Sequence, residues 1–180
     1  MTLVASQLPT GTWQADRVHS TVGFAIRHNA ISLFRGAFTD YDASLEVDAA
    51  GAATLVGAVR ADSVDVRDEN LATHLGSPDF FDTERHPELL FQSTAVSVEG
   101  DELRVEGDLT LKGLTRRVEG RGTVGDVVED PFGGTRVALR LEAIVDRREF
   151  GISWNMPLPK GGEYLANDVA LVLDLELTRA

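Results

Sequence analysis

The chain is 180 residues long, 43% apolar and 26% charged, without cysteine, and carries a formal charge of −12 from 17 basic and 29 acidic side chains. A chain of that size buries a core without staples, so a disulfide-held mini-protein is excluded, and thiol nucleophiles and thiolate metal sites go with the cysteines. The negative charge, with no basic run longer than Arg116-Arg117 or Arg147-Arg148, argues against nucleic acid and anionic membrane surfaces as partners.

Met1 to Pro9 has neither the charged start nor the apolar stretch of a signal peptide. Nowhere does an apolar run approach the ~20 residues of a spanning helix. A cytoplasmic chain without stable membrane insertion is therefore expected, with residues 1–11 as a loosely ordered extension of a single domain over 1–180.

Beyond it, apolar residues alternate. Val22, Phe24 and Ile26 share one face of a strand, as do Leu45 with Val47, Leu55 with Gly57 and Val59, and Leu89 with Phe91. Longer runs follow the same period: Leu103 to Leu111, Val137 to Val145, and Val169 to Leu177. Turn signals separate them, including Ala50-Gly51, Glu99-Gly100-Asp101, Lys112-Gly113 and Asp130-Pro131-Phe132-Gly133-Gly134. The pattern predicts roughly eight strands near residues 12–18, 20–28, 34–48, 53–64, 88–98, 102–112, 115–128 and 135–148, and a ninth near 168–179.

One region differs. Between Asp65 and Pro87 the alternation stops, and Leu71 and Leu75 stand at i and i+4 behind the acidic Asp68-Glu69. This predicts one short helical insertion near residues 67–82, with Gly76 as its C-cap and a second turn from Pro78 to Phe81. An antiparallel sheet of this length buries its aliphatic face and hides its edges by closing. The expected fold is all-β, a single extended antiparallel barrel of about eight strands. Its glycines at inward positions, Gly57, Gly107, Gly120 and Gly122, either leave room for a ligand or mark bulges in a packed barrel.

Catalytic motifs do not assemble. Gly120-Arg121-Gly122-Thr123-Val124-Gly125 has dinucleotide-fingerprint spacing, but the acidic, strand-like Asp126 to Asp130 follows where a helix is needed. His19, His28, His74 and His86 lack metal-ligand spacing, so no metal or cofactor is expected. Two apolar clusters stand outside the strands. Asp79-Phe80-Phe81-Asp82 follows the helix, and Gly151-Ile152-Ser153-Trp154-Asn155-Met156 is an extended segment fit to line a lid or portal.

Four spaced motifs resemble the YceI-like family. They are Trp13 to Phe24 with His28 and Arg35-Gly36-Ala37-Phe38; His74 to Asp82 with Pro87 and Phe91-Gln92-Ser93-Thr94; Gly107 to Arg116; and Asp146-Arg147-Arg148-Glu149-Phe150-Gly151. The resemblance implies a lipocalin-like barrel that binds or carries a long-chain isoprenoid lipid, a polyprenyl chain or isoprenoid quinone, without catalysis. Position in the motifs and inward alternation together assign the tail wall to Val22, Phe24, Ile26, Phe38, Leu75, Phe80, Phe81, Leu109, Leu111, Trp154 and Leu171. His28, His74 and Asp79 are the candidate polar groups at the pocket mouth. Some relatives carry an Arg-Asp pair just ahead of the His-Leu, where this chain has Leu71-Ala72, with Arg67-Asp68 further upstream. Two other readings stay open at this point, an enzyme using a histidine as acid-base group on a bound isoprenoid, and a packed, stress-associated barrel without ligand. Outward Val172 and Ile144 form an apolar patch suited to a homodimer.

Overall fold

The structure, a computed structural model, describes residues 8–180. Twelve strands carry the fold: β1 (Gly11–Ala15), β2 (Thr21–His28), β3 (Ser32–Phe38), β4 (Tyr41–Val47), β5 (Ala53–Arg60), β6 (Val64–Asp65), β7 (Glu88–Glu99), β8 (Glu102–Leu111), β9 (Leu114–Val124), β10 (Val128–Glu129), β11 (Thr135–Asp146) and β12 (Leu165–Arg179). One helix, α1 (Glu69–Gly76), interrupts them. The strands β11-β9-β8-β7-β5-β4-β1-β12 form a ring that the β11–β12 pairing closes, giving an eight-stranded antiparallel barrel.

The remaining strands explain why the barrel is extended. The segment expected as one strand over 34–48 is two, because the backbone at Thr39-Asp40 turns to Ser63 instead of to a sheet neighbour. Thr39 N donates to Ser63 O at 3.1 Å and Asp40 N to Ser63 Oγ at 3.1 Å. Beyond that break β4 pairs with β5, whereas β3 pairs with β2 and β6. The long β12 spans both halves, pairing with β1 at Ala15↔Leu177 and with β2 from Thr21↔Asp174 to His28↔Leu165. The chain between β6 and β7, with α1, lies against β2 and β3 at the same end, and its Leu75 and Phe80 join Ile26 and Leu109 in one core cluster.

Asp68 caps α1, its Oδ1 accepting from Leu71 N at 2.8 Å. Gly76, expected as the C-cap, is instead the last helical residue, and Ser77 takes the cap position. A side chain at Gly76 would press on Thr83, so close packing places the glycine there. The hairpin turn at Lys112-Gly113 has positive φ at both residues, 53° and 76°, as a two-residue turn matching the strand twist requires. Gly120 and Gly122 lie inside β9 with no helix following, in agreement with the coincidental reading of that motif.

Residues 1–7 of the expected N-terminal extension lie outside the described residues. From Leu8 onward the chain is packed: Leu8 is buried, Pro9 O accepts from Trp13 Nε1 at 2.9 Å, and Gly11 already lies in β1. No helix among the described residues is long and apolar enough to cross a membrane.

Candidate functional site

The barrel interior divides by how completely side chains fill it. At the β1 end, Trp13, Leu45, Leu103, Val137, Leu139, Leu175 and Leu177 interdigitate with almost no exposure. The Arg179 guanidinium lies 5.2 Å from the Trp13 ring centroid and closes that end.

Further along the axis the filling fails. An inner cavity of about 140 Å³ is walled by Val22, Tyr41, Leu55, Gly57, Val59, Phe91, Val105, Leu109, Val118, Gly120, Leu141 and Leu173. An outer cavity of about 260 Å³ is walled by Phe24, Ile26, His28, Phe34, Leu71, His74, Leu75, Phe80, Phe81, Arg147, Ile152, Trp154, Met156, Tyr164, Leu165 and Val169. Phe38, Leu89 and Leu171 line both, so the two spaces abut at a neck made by these residues.

Small residues open the inner space. A Cβ on Gly57 would come no closer than 3.8 Å to any neighbour, so this glycine is unfilled volume. Gly107 is different: the Phe91 ring lies over it, 2.5 Å from where a Cβ would stand. The same device recurs at Gly36, covered by the Phe24 ring of its cross-strand partner, which has atoms 2.5 and 2.7 Å from where a Cβ would stand.

Aromatic rings build the outer walls in two groups. Phe24, Phe34, Phe38 and Phe81 pack with centroids 5.7–6.4 Å apart. Nearer the α1 side, His74 meets Phe80 at 4.9 Å and Trp154 at 4.8 Å, and Trp154 meets Tyr164 at 6.1 Å, which in turn meets His28 at 4.4 Å. His74 is oriented from outside by Asp79, with Nε2 3.0 Å from Oδ2.

The segment carrying Trp154 is pinned, not loose. The Trp154 and Ile152 carbonyls accept from Arg147 Nη1 at 2.8 and 3.1 Å. Asn155 brackets Leu165, donating Nδ2 to its carbonyl at 2.8 Å and accepting its N–H at 2.9 Å. Held this way, the segment expected to line a lid or portal forms part of the outer cavity wall.

Of the expected tail-facing residues, Val22 and Leu109 lie in the inner wall, Phe24, Ile26, Leu75, Phe80, Phe81 and Trp154 in the outer wall, and Phe38 and Leu171 at the neck. Leu111 lines neither cavity. It is the last residue of β8, buried in the core cluster beneath the Lys112-Gly113 turn. Among the expected mouth residues His28 and His74 line the outer cavity, and Asp79 stands behind His74 instead. Of the Arg67-Asp68 pair, Asp68 caps α1 and neither residue lines the cavity, whereas Leu71 does.

Sequence reading missed Tyr164 and Arg147. Arg147 had a signal: it continues the inward phase Val137, Leu139, Leu141, Ala143, Val145 one step past β11. Burial lowers its pKa by disfavouring the charged form, but an arginine keeps its proton. Outside the cavity, Arg136 ties Asp16, Asp130 and Glu176 together at 2.6–2.8 Å. Asp16, His19 and Glu176 could face a metal ion, yet Arg136 already occupies the Asp16 and Glu176 carboxylates.

Three comparisons place this architecture. The chain is 34% identical over 140 residues to protein YceI of Escherichia coli O157:H7, covering 77% of this chain and 73% of that protein. It superposes on BcnA of Burkholderia cenocepacia with a TM-score of 0.77 at 22% identity, covering 90% and 98% of the two chains. A polyisoprenoid binding domain from Saccharophagus degradans, implicated in plant cell wall breakdown, matches with a TM-score of 0.68 at 13% identity, covering 96% and 100%. The model of the YceI-like domain matches residues 13–177, and with that match over almost its whole length the chain belongs to the YceI-like family.

Proposed function

We propose that the protein binds a long isoprenoid lipid, a polyprenyl chain or isoprenoid quinone, in the two abutting cavities and serves as its carrier, without catalysis. The observation that carries this reading is the paired void itself: about 260 and 140 Å³ of apolar-walled space abutting at Phe38, Leu89 and Leu171. A packed barrel without ligand would have filled it. Burying an apolar chain there gains roughly 0.8 kcal/mol per methylene, so affinity grows with chain length and asks no reacting group of the protein. The polyisoprenoid-binding domain of the same fold supports the choice of ligand class.

Polar side chains stand at the outer cavity, where His28, His74 and Tyr164 line the mouth and Arg147 lies buried in the wall, so the tail occupies the inner cavity and the head stays outward. Native mass spectrometry of freshly purified protein, with solvent extraction of what it releases, tests the reading. One isoprenoid or quinone per chain is expected. A ligand-free mass that persists after adding polyprenol and ubiquinone would overturn it.

A further inference from the structure

The mouth of the outer cavity is built where two loops meet. The turn at residues 29–31, between β2 and β3, abuts the segment 155–164: Asn29 N donates to Tyr164 O at 2.8 Å, and Tyr164 N to Met156 O at 2.9 Å. Large apolar side chains stand in water there. Ile31 is 82% exposed, and Met156 is 47% exposed although it also lines the cavity. Leu33, cross-strand from Arg27 in the same hairpin, is exposed as well. An exposed apolar surface that runs on into a cavity wall marks the edge of a passage.

Charge sets this end apart from the rest of the molecule. The chain has 29 acidic residues, yet none falls from Arg17 to Thr39, the longest stretch without one, and none from Phe150 to Gly162. Those two segments supply the mouth loops. Arg27 and Arg35 on the hairpin and Lys160 in the second loop are exposed and make no ion pair among the described residues. Two exposed acids, Glu163 and Asp168, follow the second loop. The opposite end of β2 is the reverse case. Val18 and Phe132 are 84% and 95% exposed there, but Val18 follows Asp16 and Phe132 follows Glu129-Asp130, with Arg136 joining Asp16 to Asp130.

We infer that the mouth end docks reversibly on a lipid bilayer containing anionic lipids, with Ile31 and Met156 entering between the headgroups and Arg27 and Lys160 meeting their phosphates. The formal charge of −12 argues against such a surface for the chain as a whole. At physiological salt, however, charges more than about 8 Å from the bilayer are screened, so docking responds to the mouth and not to the distant acids. A long isoprenoid resides in a bilayer and not in water, and a cavity that opens at this end loads directly when its mouth meets that bilayer. The loading role rests on the lipid-binding reading above, whereas docking itself is measured without it.

The test is co-sedimentation of the full chain, at about 0.15 M salt, with vesicles of phosphatidylcholine alone and of phosphatidylcholine mixed with phosphatidylglycerol. Binding is expected to the mixed vesicles, and about fivefold weaker binding for Arg27→Gln, the effect of one basic residue beside an anionic surface. Ile31→Ser should weaken it about tenfold by removing the apolar wedge. Phe132→Ser, at the acidic end, should leave it unchanged. Neither Arg27 nor Ile31 lines a cavity, so both variants should keep the wild-type quenching of tryptophan fluorescence by decylubiquinone added without vesicles. Binding to neither vesicle, equal binding to both, or a loss through Phe132→Ser in place of Ile31→Ser would overturn the docking surface, and quenching by decylubiquinone would leave lipid binding standing. A dimer in analytical ultracentrifugation that Ile31→Ser dissolves, with no vesicle binding, would assign the face to a second copy and overturn the bilayer. Selective docking on the mixed vesicles without any quenching would sustain the docking surface and count against the lipid reading alone.

Discussion

The two halves of the barrel share the long strands β7, β8, β11 and β12 and similar aliphatic residues, yet one half is solid and the other hollow. At the β1 end a single large ring, Trp13, fills the axis and Leu45, Leu103, Leu175 and Leu177 close around it. At the α1 end there are more aromatic rings, but they line the wall: Phe24 lies over Gly36, and Phe34, Phe38 and Phe81 pack beside it around the rim. Hollowness here comes from where rings are anchored, not from how many there are. Rings held against the sheet over a neighbouring glycine or by a pinned loop cannot collapse inward.

Substitutions should separate the halves, and the largest effect is expected at the solid end. Trp13→Ala should cost about 3–5 kcal/mol of stability in urea unfolding, because the ring is fully enclosed and nothing beside it can move in. Lipid binding by the remaining folded protein should be unchanged. Phe80→Ala should cost less, roughly 2 kcal/mol, since one side of that ring already faces open space. Its lipid retention after purification should drop several-fold. Equal destabilisation by the two variants, with lipid retained in both, would erase the distinction between them.

Leu171→Trp sharpens the comparison at the neck between the cavities. Overpacking there should cost about 1–2 kcal/mol. Extracted lipid from this variant should be shorter, because only the outer cavity stays accessible to a tail. An unchanged chain-length distribution would show that the inner cavity does not hold the tail.

The smallest effect concerns the Arg136 cluster beside the β1–β2 turn, outside both cavities. The His19 and Arg136 hydrogen bonds hold Asp16 well below the usual carboxylate range, and Arg136 with the Gly134 and Phe132 amides also lowers the pKa of Asp130. Carboxyls with depressed folded-state pKa contribute stability that is present above about pH 4 and is lost as pH falls through the folded-state values. The stability gap between wild type and Arg136→Gln should therefore be full at neutral pH and shrink on acidification. His19, its pKa raised by the bond to Asp16, works the other way: its contribution is present below about pH 6.5 and fades as pH rises through its folded-state value. A gap that widens with acid would refute this assignment.

Much of the fold is legible because strand alternation reports directly which face is buried. The ring strands, the helix near residues 67–82 and the inward phase of β2, β8, β11 and β12 all follow from that period. The break at Thr39-Asp40 is not legible, since alternation continues on both sides and only the distant Ser63 diverts the backbone. Likewise Leu111 has the correct phase to face inward, but its place at a hairpin end puts it under a turn instead of on a cavity wall. Asp79 and Trp154 depended on partners that strand alternation does not report, His74 five residues before the first and Arg147 seven residues before the second.

The strand β12 contains the lesson in one element. Its sequence determines by itself that Val169, Leu171, Leu173, Leu175 and Leu177 point inward, because side chains alternate across a pleated strand. What each of them meets was decided only by the tertiary structure. Leu177 meets the packed core around Trp13, Leu175 both that core and the inner cavity, Leu173 the inner cavity, Leu171 the neck, and Val169 the outer cavity. Five nearly equivalent aliphatic residues thus do different work, since a void is a property of what fails to fill the space opposite, and that is set by residues from other strands.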